Sequence, residues 1–353
     1  MILKTITLQE FRSYSRASFS FSNLVSLIIG PNTAGKTNII ESIYLLATGK
    51  SFRAERDAEL IRFGENAGKI TGEFYDDAIK LELAIIKNNL HESAIKKYFV
   101  NGVSKRKSEF SSHLSVVLFS PEDVEIISNS PGKRRAFLDE VLVQVDIDYS
   151  NALLTFSKAL RQRNALLEQA RDYGKNLTKQ FEYWNAILIE NGNLITNKRE
   201  EFIAFLNTTL KEIFDFNVVY DKSTISKERL LQYEKAELGA GVTLVGPHRD
   251  DILFEMFHNE TQSVQEVKKY GSRGQARLVI FQLKLLQIAY MEEKTKRIPL
   301  LLLDDIFSEL DKRNIERILD LTLSHQAIIT TTHKEFIPEE LLERTTVIEL
   351  KNN

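Results

Sequence analysis

Apolar residues change their spacing several times along this chain, and each change predicts a different kind of element. Leu24-Val25-Ser26-Leu27-Ile28-Ile29, inside a strand-like stretch from Phe19, is nearly unbroken, as in a strand buried on both faces. Beyond the loop that follows it, Ile39, Ile40, Ile43, Tyr44, Leu46 and Ala47 recur at helical spacing. Ile70 to Ile86 and Tyr98 to Val103 read as an antiparallel ribbon with Asn101-Gly102 as its turn. Val116-Val117-Leu118-Phe119 is a further short buried strand, stopped at Ser120-Pro121.

The character then becomes helical. Ser130-Pro131 supplies an N-cap and a first-turn proline. Leu177, Phe181, Trp184, Leu188, Ile195, Phe202, Leu206, Leu210 and Ile213 step mostly by three or four. Their rhythm slips around Asn191-Gly192-Asn193, which predicts packed helices in a compact subdomain and no long coiled coil. Strand-like sequence returns at Phe216 to Tyr220 and from Val242, then runs through loop, helix, apolar strand, helix and strand to Val347-Ile348-Glu349-Leu350. The expected architecture is one α/β head made from both ends of the chain, residues 1–130 and 239–353, interrupted by a helical insertion at 131–238.

Composition narrows the chemistry. Among 353 residues, 47 Lys+Arg face 49 Asp+Glu, so nucleic acid would be bound only through a local basic patch. The chain has no cysteine, which excludes disulfides, thiolate metal sites and Cys nucleophiles. No signal-peptide pattern opens it and no run approaches the roughly 18 apolar residues of a membrane span, so a cytoplasmic protein is expected.

Gly30-Pro31-Asn32-Thr33-Ala34-Gly35-Lys36-Thr37 fits G-x-x-x-x-G-K-[ST], with the required strand before it and helix after it. Glycines let the backbone wrap a phosphate, and the amides through Asn38 at the helix start point at its oxygens. Lys36 would neutralise the β- and γ-phosphates of ATP, and Thr37 would put its hydroxyl on Mg²⁺. Leu300-Leu301-Leu302-Leu303-Asp304-Asp305 is a buried strand ending in two carboxylates. Asp304 is expected at the metal and Asp305 as general base toward the attacking water. Between these segments, Ser272-Arg273-Gly274-Gln275 opens another apolar helix and forms a second anion cradle. Ser308-Glu309-Leu310-Asp311 and Thr331-Thr332-His333 follow downstream.

This ordered series resembles the ABC ATPase superfamily: Walker A, signature, Walker B, D-loop and switch histidine. The resemblance implies an ATP-dependent homodimer in which Ser272, Arg273, Gly274 and Gln275 act in trans. It places Asp311 at the dimer seam and makes His333 a γ-phosphate sensor with a catalytic role; the residues alone also allow His333 as a capping or solvated histidine after a strand. Two departures stand out. The shorter Asp305 replaces the glutamate of many members, and 119–123 has no Q-loop glutamine, leaving Glu122 or Asp123 as weak substitutes.

Further motifs narrow the group. Ala47-Thr48-Gly49-Lys50-Ser51-Phe52-Arg53, Ser130 to Asp139, Ala159 to Leu167 and Gly246-Pro247-His248-Arg249-Asp250-Asp251 together look like the RecF family of bacterial recombination proteins, from the N-terminus to Leu350. That resemblance implies a DNA-repair ATPase with slow, DNA-stimulated turnover. It would bind gapped DNA or single-strand/double-strand junctions and work with RecR and RecO to load RecA. An ATP-binding scaffold with negligible hydrolysis and a transporter-coupled ABC subunit are the alternatives; the insertion at 131–238 argues against the latter.

Basic clusters occur at Lys50, Arg53 and Arg56; at Lys105, Arg106 and Lys107; at Lys133, Arg134 and Arg135; and at Arg161 and Arg163. Each is either a solvated face paired with nearby carboxylates or a track for DNA phosphates. Arg53, Lys105, Arg106 and Lys107 are the candidates for DNA. The run Gly246 to Asp251 reads either as a structural turn tied by Arg–Asp pairs, the favoured reading, or as a patch at the dimer seam.

Overall fold

The unbroken apolar stretches become strands of a parallel sheet, because only a strand covered on both faces can dispense with polar positions. The computed structural model describes residues 1–351 except 76–78, 89–92, 174–176, 259–261, 309–311, 333–334, 336, 338 and 343–344. Its early strands are β1 (Leu3–Phe11), β2 (Tyr14–Ser20), β3 (Val25–Ile29), β4 (Ala67–Phe74), β5 (Lys80–Asn88), β6 (Ser93–Val100), β7 (Val103–Lys105) and β8 (Val116–Phe119). Then come β9 (Asn217–Asp221), β10 (Asp251–His258) and β11 (Ser263–Glu266), followed by β12 (Leu300–Asp304), β13 (Ala327–Thr331) and β14 (Thr345–Glu349). The chain divides into two compact units, Met1–Asp123 with Met291–Asn353, and Val124–Tyr290.

The first unit holds two sheets. One is five-stranded and parallel, in the order β14-β3-β13-β12-β8. The other is six-stranded and antiparallel, in the order β2-β1-β4-β5-β6-β7. The helix Lys36–Thr48 packs against β4 and β5 of one sheet and β8, β12 and β13 of the other. That double contact buries Ile39, Ile40 and every residue from Ser42 to Thr48, so its apolar positions spread beyond a single stripe. Both chain ends therefore build one layered core, in which β13 lies between β3 and β12. This order delivers the phosphate loop and the Asp304-Asp305 pair to the same carboxyl edge of the parallel sheet.

The second unit is wider than the expected insertion at 131–238. Its helices Pro131–Val145, Ile147–Tyr173, Thr178–Thr208 and Lys227–Ala240 are joined by the sheet β11-β10-β9. β10 pairs antiparallel with β9, and this long-range ladder draws the residues after 238 into the same unit. The strand expected from Val242 begins only at Asp251, after the turn Pro247–Arg249.

The slip in rhythm at Asn191-Gly192-Asn193 falls inside one continuous helix, which runs from Thr178 to Thr208. Gly192 is buried there; a Cβ on it would lie 2.6 Å from Ile225 Cγ2 and 3.2 Å from Phe156 Cε2. The glycine permits close packing on a continuous helix, at a propensity cost of about 1 kcal/mol.

The run Gly246 to Asp251 is the turn tied by Arg–Asp pairs that its composition predicts. Arg199, 2% exposed, donates to Pro247 O, Asp250 Oδ2 and Asp139 Oδ1, each at 2.8 Å. Arg134 grips Asp251 in a two-pronged pair at 2.6 and 2.8 Å. His248 Nε2 lies 3.1 Å from Thr243 O, and burial pushes its pKa down to about 4, which keeps the ring neutral.

Candidate functional site

The phosphate loop leaves β3, flanked by β14 and β13 in the parallel sheet, and turns at once into the helix Lys36–Thr48. Gly30 donates to Thr331 O on the neighbouring strand, and Leu350 donates to Ile29 O on the other side, so the loop's entry is fixed by both flanks. Gly35 has φ +93, and a Cβ there would meet the Tyr14 hydroxyl at 2.5 Å. That position admits only glycine, and it aims the first helical amides into the loop. Tyr14 reaches over from β2 to donate to Ala34 O at 3.3 Å, and burial pushes its phenol up to about 12.

Lys36 extends back along the loop, its Nζ donating to Gly30 O at 2.7 Å and Pro31 O at 3.0 Å. Burial lowers its pKa from the ordinary value, while Asp305 and Asp304 act in the opposite sense. Thr37 Oγ1 donates to Asp304 Oδ1 at 3.2 Å, joining the loop to the acidic strand end. Thr330 on β13 donates to the same oxygen at 2.6 Å. Burial raises Asp304, the neighbouring Asp305 adds to that, and Thr330, Thr37 and Arg53 pull it back down. Asp305 sits at φ +52, an uncommon conformation for a residue with a Cβ. Its amide is held by Thr330, through both O at 3.2 Å and Oγ1 at 3.1 Å.

A supporting layer lies beneath, and of it the sequence motifs mark only Ser51 and Arg53. Glu41 on the loop's helix is fully buried and takes a two-pronged pair from Arg12 at 2.8 and 2.7 Å. Ser51 donates to Glu41 at 2.5 Å and accepts from the amides of Arg53 and Ala54. This network ties Arg53 to the helix that carries Lys36 and Thr37. Asn38 Nδ2 donates to Ser13 Oγ at 3.0 Å, while Asn32 and Thr33 are exposed at the loop's tip.

In the second unit, Ser272 and Gln275 form a reciprocal capping box. The Ser272 amide donates to Gln275 Oε1 at 2.8 Å, and the Gln275 amide donates to Ser272 Oγ at 3.2 Å. Ser272, Arg273 and Gly274 are exposed, and the nearest atom a Cβ on Gly274 would meet is Ser272 Oγ at 3.9 Å. The start of the helix Arg273–Thr295 is thus stiff and open to solvent. Asp311 and His333 lie outside the described residues. Glu122 and Asp123 instead close a local turn on Ser120, at 3.2 and 2.8 Å.

The basic clusters separate by partner. Arg134 and Arg163 are buried in ion pairs with Asp251 and Glu237, Arg135 donates to Asp250 O, and Lys133 pairs with Glu125. Lys105 pairs with Glu109 at 3.1 Å, whereas Arg106 is exposed. Lys107 turns inward beside Gly49, a site where Lys96 donates to Gly49 O at 2.9 Å and Asp57 at 2.6 Å.

Burial, with the charges of Lys50 and Lys96, pushes Lys107 down to about 7. In the unfolded chain its pKa is near 10.4. The unfolded state therefore holds the extra proton between about 7 and 10, and stability rises with pH across that window. Below it both states are protonated and the cost is full. Thermal denaturation from pH 6.5 to 9 is expected to show this rise in wild type and a shallower one in Lys107→Met. Identical slopes would remove Lys107 as the source.

A phosphate loop and an acidic strand end at the same edge of one parallel sheet, with an open signature-type helix start elsewhere in the chain, define an ABC-type ATPase head of the kind that SMC proteins share. The RecF/RecN/SMC N-terminal domain model matches residues 2–352. The DNA replication and repair protein RecF of Lachnoclostridium phytofermentans is 35% identical, over 95% of this chain and 94% of its own length. RecF of Bacillus cytotoxicus is also 35% identical, over 100% and 97%. The solved structure of the recombination mediator protein RecF with ATP superimposes with a TM-score of 0.83 at 30% identity, covering 96% of this chain and 93% of that one. The chain belongs to the RecF family.

Proposed function

We propose that this protein is an ATP-gated DNA clasp of recombinational repair. Two copies close head to head on ATP, and the closed dimer holds DNA at gaps or single-strand/double-strand junctions. The observation that carries this reading is the division of one chemistry between two places. Lys36, Thr37, Asp304 and Asp305 converge in the first unit, while an exposed anion-binding helix start at Ser272 to Gln275 stands in the second. The ATP-bound form of the related structure supports the same choice of nucleotide.

In this reading the loop amides from Asn32 to Asn38 cradle the phosphates, and Lys36 exchanges its carbonyl partners for the β- and γ-oxygens. Thr37 and Asp304, already hydrogen-bonded to each other, are the residues that fit Mg²⁺. When bound, that ion would supply charge stabilisation at the transferring phosphoryl group. Asp305, fixed by Thr330, takes the proton of the attacking water, with His333 sensing the γ-phosphate and Asp311 at the seam. The partner copy's signature loop closes the site. Arg53, whose charge is felt at Asp304, serves the nucleotide more than the DNA. Arg106 with Lys105 remains the basic surface for phosphates, while Lys107, turned inward beside Gly49, drops out of it. Slow DNA-stimulated hydrolysis would then release the clasp, with RecR and RecO as partners in RecA loading.

DNA binding by fluorescence anisotropy, with and without ATP and Mg²⁺, tests this. Wild type should bind gapped DNA at least about tenfold tighter with ATP, and Lys36→Met should show no nucleotide effect. Binding that ignores ATP in both proteins would leave a nucleotide site without this purpose.

A further inference from the structure

The outward face of the six-stranded sheet, with the turn at its end, carries features the nucleotide chemistry does not use. Ile6, Leu8, Ile70, Leu83 and Ile85 point inward and are buried, so alternation turns Gln9, Arg16, Lys69, Ala84 and Lys97 outward. Their register is a single row. Gln9 lies opposite both Arg16 and Lys69, Lys69 opposite Ala84, and Ala84 opposite Lys97. Three cations therefore cross five strands, a span of roughly 19 Å at about 4.8 Å per strand. Lys69 pairs with Glu82, whereas neither Arg16 nor Lys97 has a carboxylate partner among the described residues.

The next row toward the sheet's end is apolar. Ala67, Ile86 and Ile95 lie opposite one another, and Ile86 and Ile95 are 37% and 55% exposed. The turn after Leu60 closes this same end. Leu60 and Ile61 are buried, but Phe63 is completely exposed at 101%. The segment is not loose. Arg62 donates its amide to Glu10 O at 2.9 Å, Glu65 donates to Arg62 O at 3.0 Å, and Lys87 donates to Asn66 O at 2.8 Å. Gly64, at φ +91, has open space around it. An aromatic ring is thus presented on a pinned backbone, at the same end of the sheet as the apolar row and the line of cations next to that row.

We propose that Phe63 is a base-stacking wedge for the DNA junction, with the Arg16, Lys69 and Lys97 row taking phosphates of the adjoining backbone. The proposal rests on the DNA reading above and specifies which DNA feature is recognised. In a continuous duplex every base has both faces covered by its neighbours. At a gap or a single-strand/double-strand junction one base face is free, and a rigid ring can cover it without unstacking anything. The backbone hydrogen bonds have already fixed Phe63, so little order is lost on contact. The cation row beside it favours a polyanion over an apolar protein pocket.

The test uses the full chain with ATP and Mg²⁺, a gapped duplex carrying 2-aminopurine at the first unpaired base, and an ungapped duplex. Phe63→Ala is expected to bind the gapped DNA about tenfold more weakly, with unchanged affinity for the ungapped duplex. It should also lose the fluorescence change that stacking produces, while Phe63→Trp keeps both. Arg16→Gln with Lys97→Gln should weaken both DNAs alike and lower the salt slope by about two. Equal gap preference and equal fluorescence change in wild type and Phe63→Ala would overturn the wedge, with the DNA reading intact. A Phe63→Ala chain that keeps its DNA preferences but loses a protein partner would overturn it in favour of protein docking. Failure of wild type to bind either DNA would instead sink the DNA reading, and the wedge with it.

Discussion

An equimolar mixture of Lys36→Met and Ser272→Arg chains is expected to recover ATP hydrolysis that neither variant shows alone. Lys36→Met removes the cation that the proposed function sets against the phosphates, and a loss of about 100-fold or more in catalysis is expected. Ser272→Arg breaks the capping box with Gln275 and puts bulk on the exposed helix start, so a partner's nucleotide cannot seat there. If the site is completed in trans, each mixed dimer keeps one intact site. It combines the phosphate loop of the Ser272→Arg chain with the signature of the Lys36→Met chain. Random pairing makes about half the dimers mixed, so about a quarter of the wild-type sites return. Single-turnover hydrolysis measures that amplitude directly. A mixture as inactive as its parts would mean that both segments act within one chain, and the head-to-head clasp would fail.

The parts of this molecule legible in its sequence are those set by local chemistry. β3, β8 and β12 could be read because a parallel strand covered on both faces is continuously apolar. The Asn101-Gly102 turn was equally plain, and both residues adopt the positive φ that such a hairpin needs, with Val100 opposite Val103. The phosphate loop and the carboxylates of Asp304 and Asp305 announce themselves for the same reason. What stayed hidden depends on distant neighbours. Gly192 reads only as a slip in the helical rhythm, whereas its use, seating Ile225 and Phe156 against a continuous helix, depends on those distant neighbours. Arg12 and Tyr14, Glu41, and Thr330 support the site from three segments that no motif spacing connects. Likewise Arg134 and Arg163 look like surface charge until both are seen buried against their carboxylate partners, Asp251 and Glu237. A charge pattern specifies how much charge there is, and only the fold decides which of it meets solvent.

The largest stability effect is expected from Arg199→Met, because that one side chain serves several buried acceptors. Arg199 is 2% exposed and Asp250 is fully buried; beside them stand Asp139 and the hydroxyls of Tyr149 and Tyr220. Burial raises the pKa of Asp250 even though Tyr220, Ser223 and Arg199 all stabilise its charged form. Lost hydration therefore outweighs those contacts at this carboxylate, and Arg199 offsets part of it. Deleting the guanidinium leaves Asp250 buried without its countercharge and Pro247 O without that donor, at a cost of about 3–5 kcal/mol. Chemical denaturation of the purified chain should show that loss, while ATP binding, which the proposed function assigns to Lys36 and Thr37 of the other unit, should persist under native conditions. The double variant Arg199→Met with Asp250→Leu should recover much of the loss, since removing both charges removes both desolvation penalties. A single variant as stable as wild type would show that water or the two tyrosines already carry the charge of Asp250. A double variant no better than the single would show that Arg199 acts chiefly through Pro247 and Asp139, holding the turn's backbone in place.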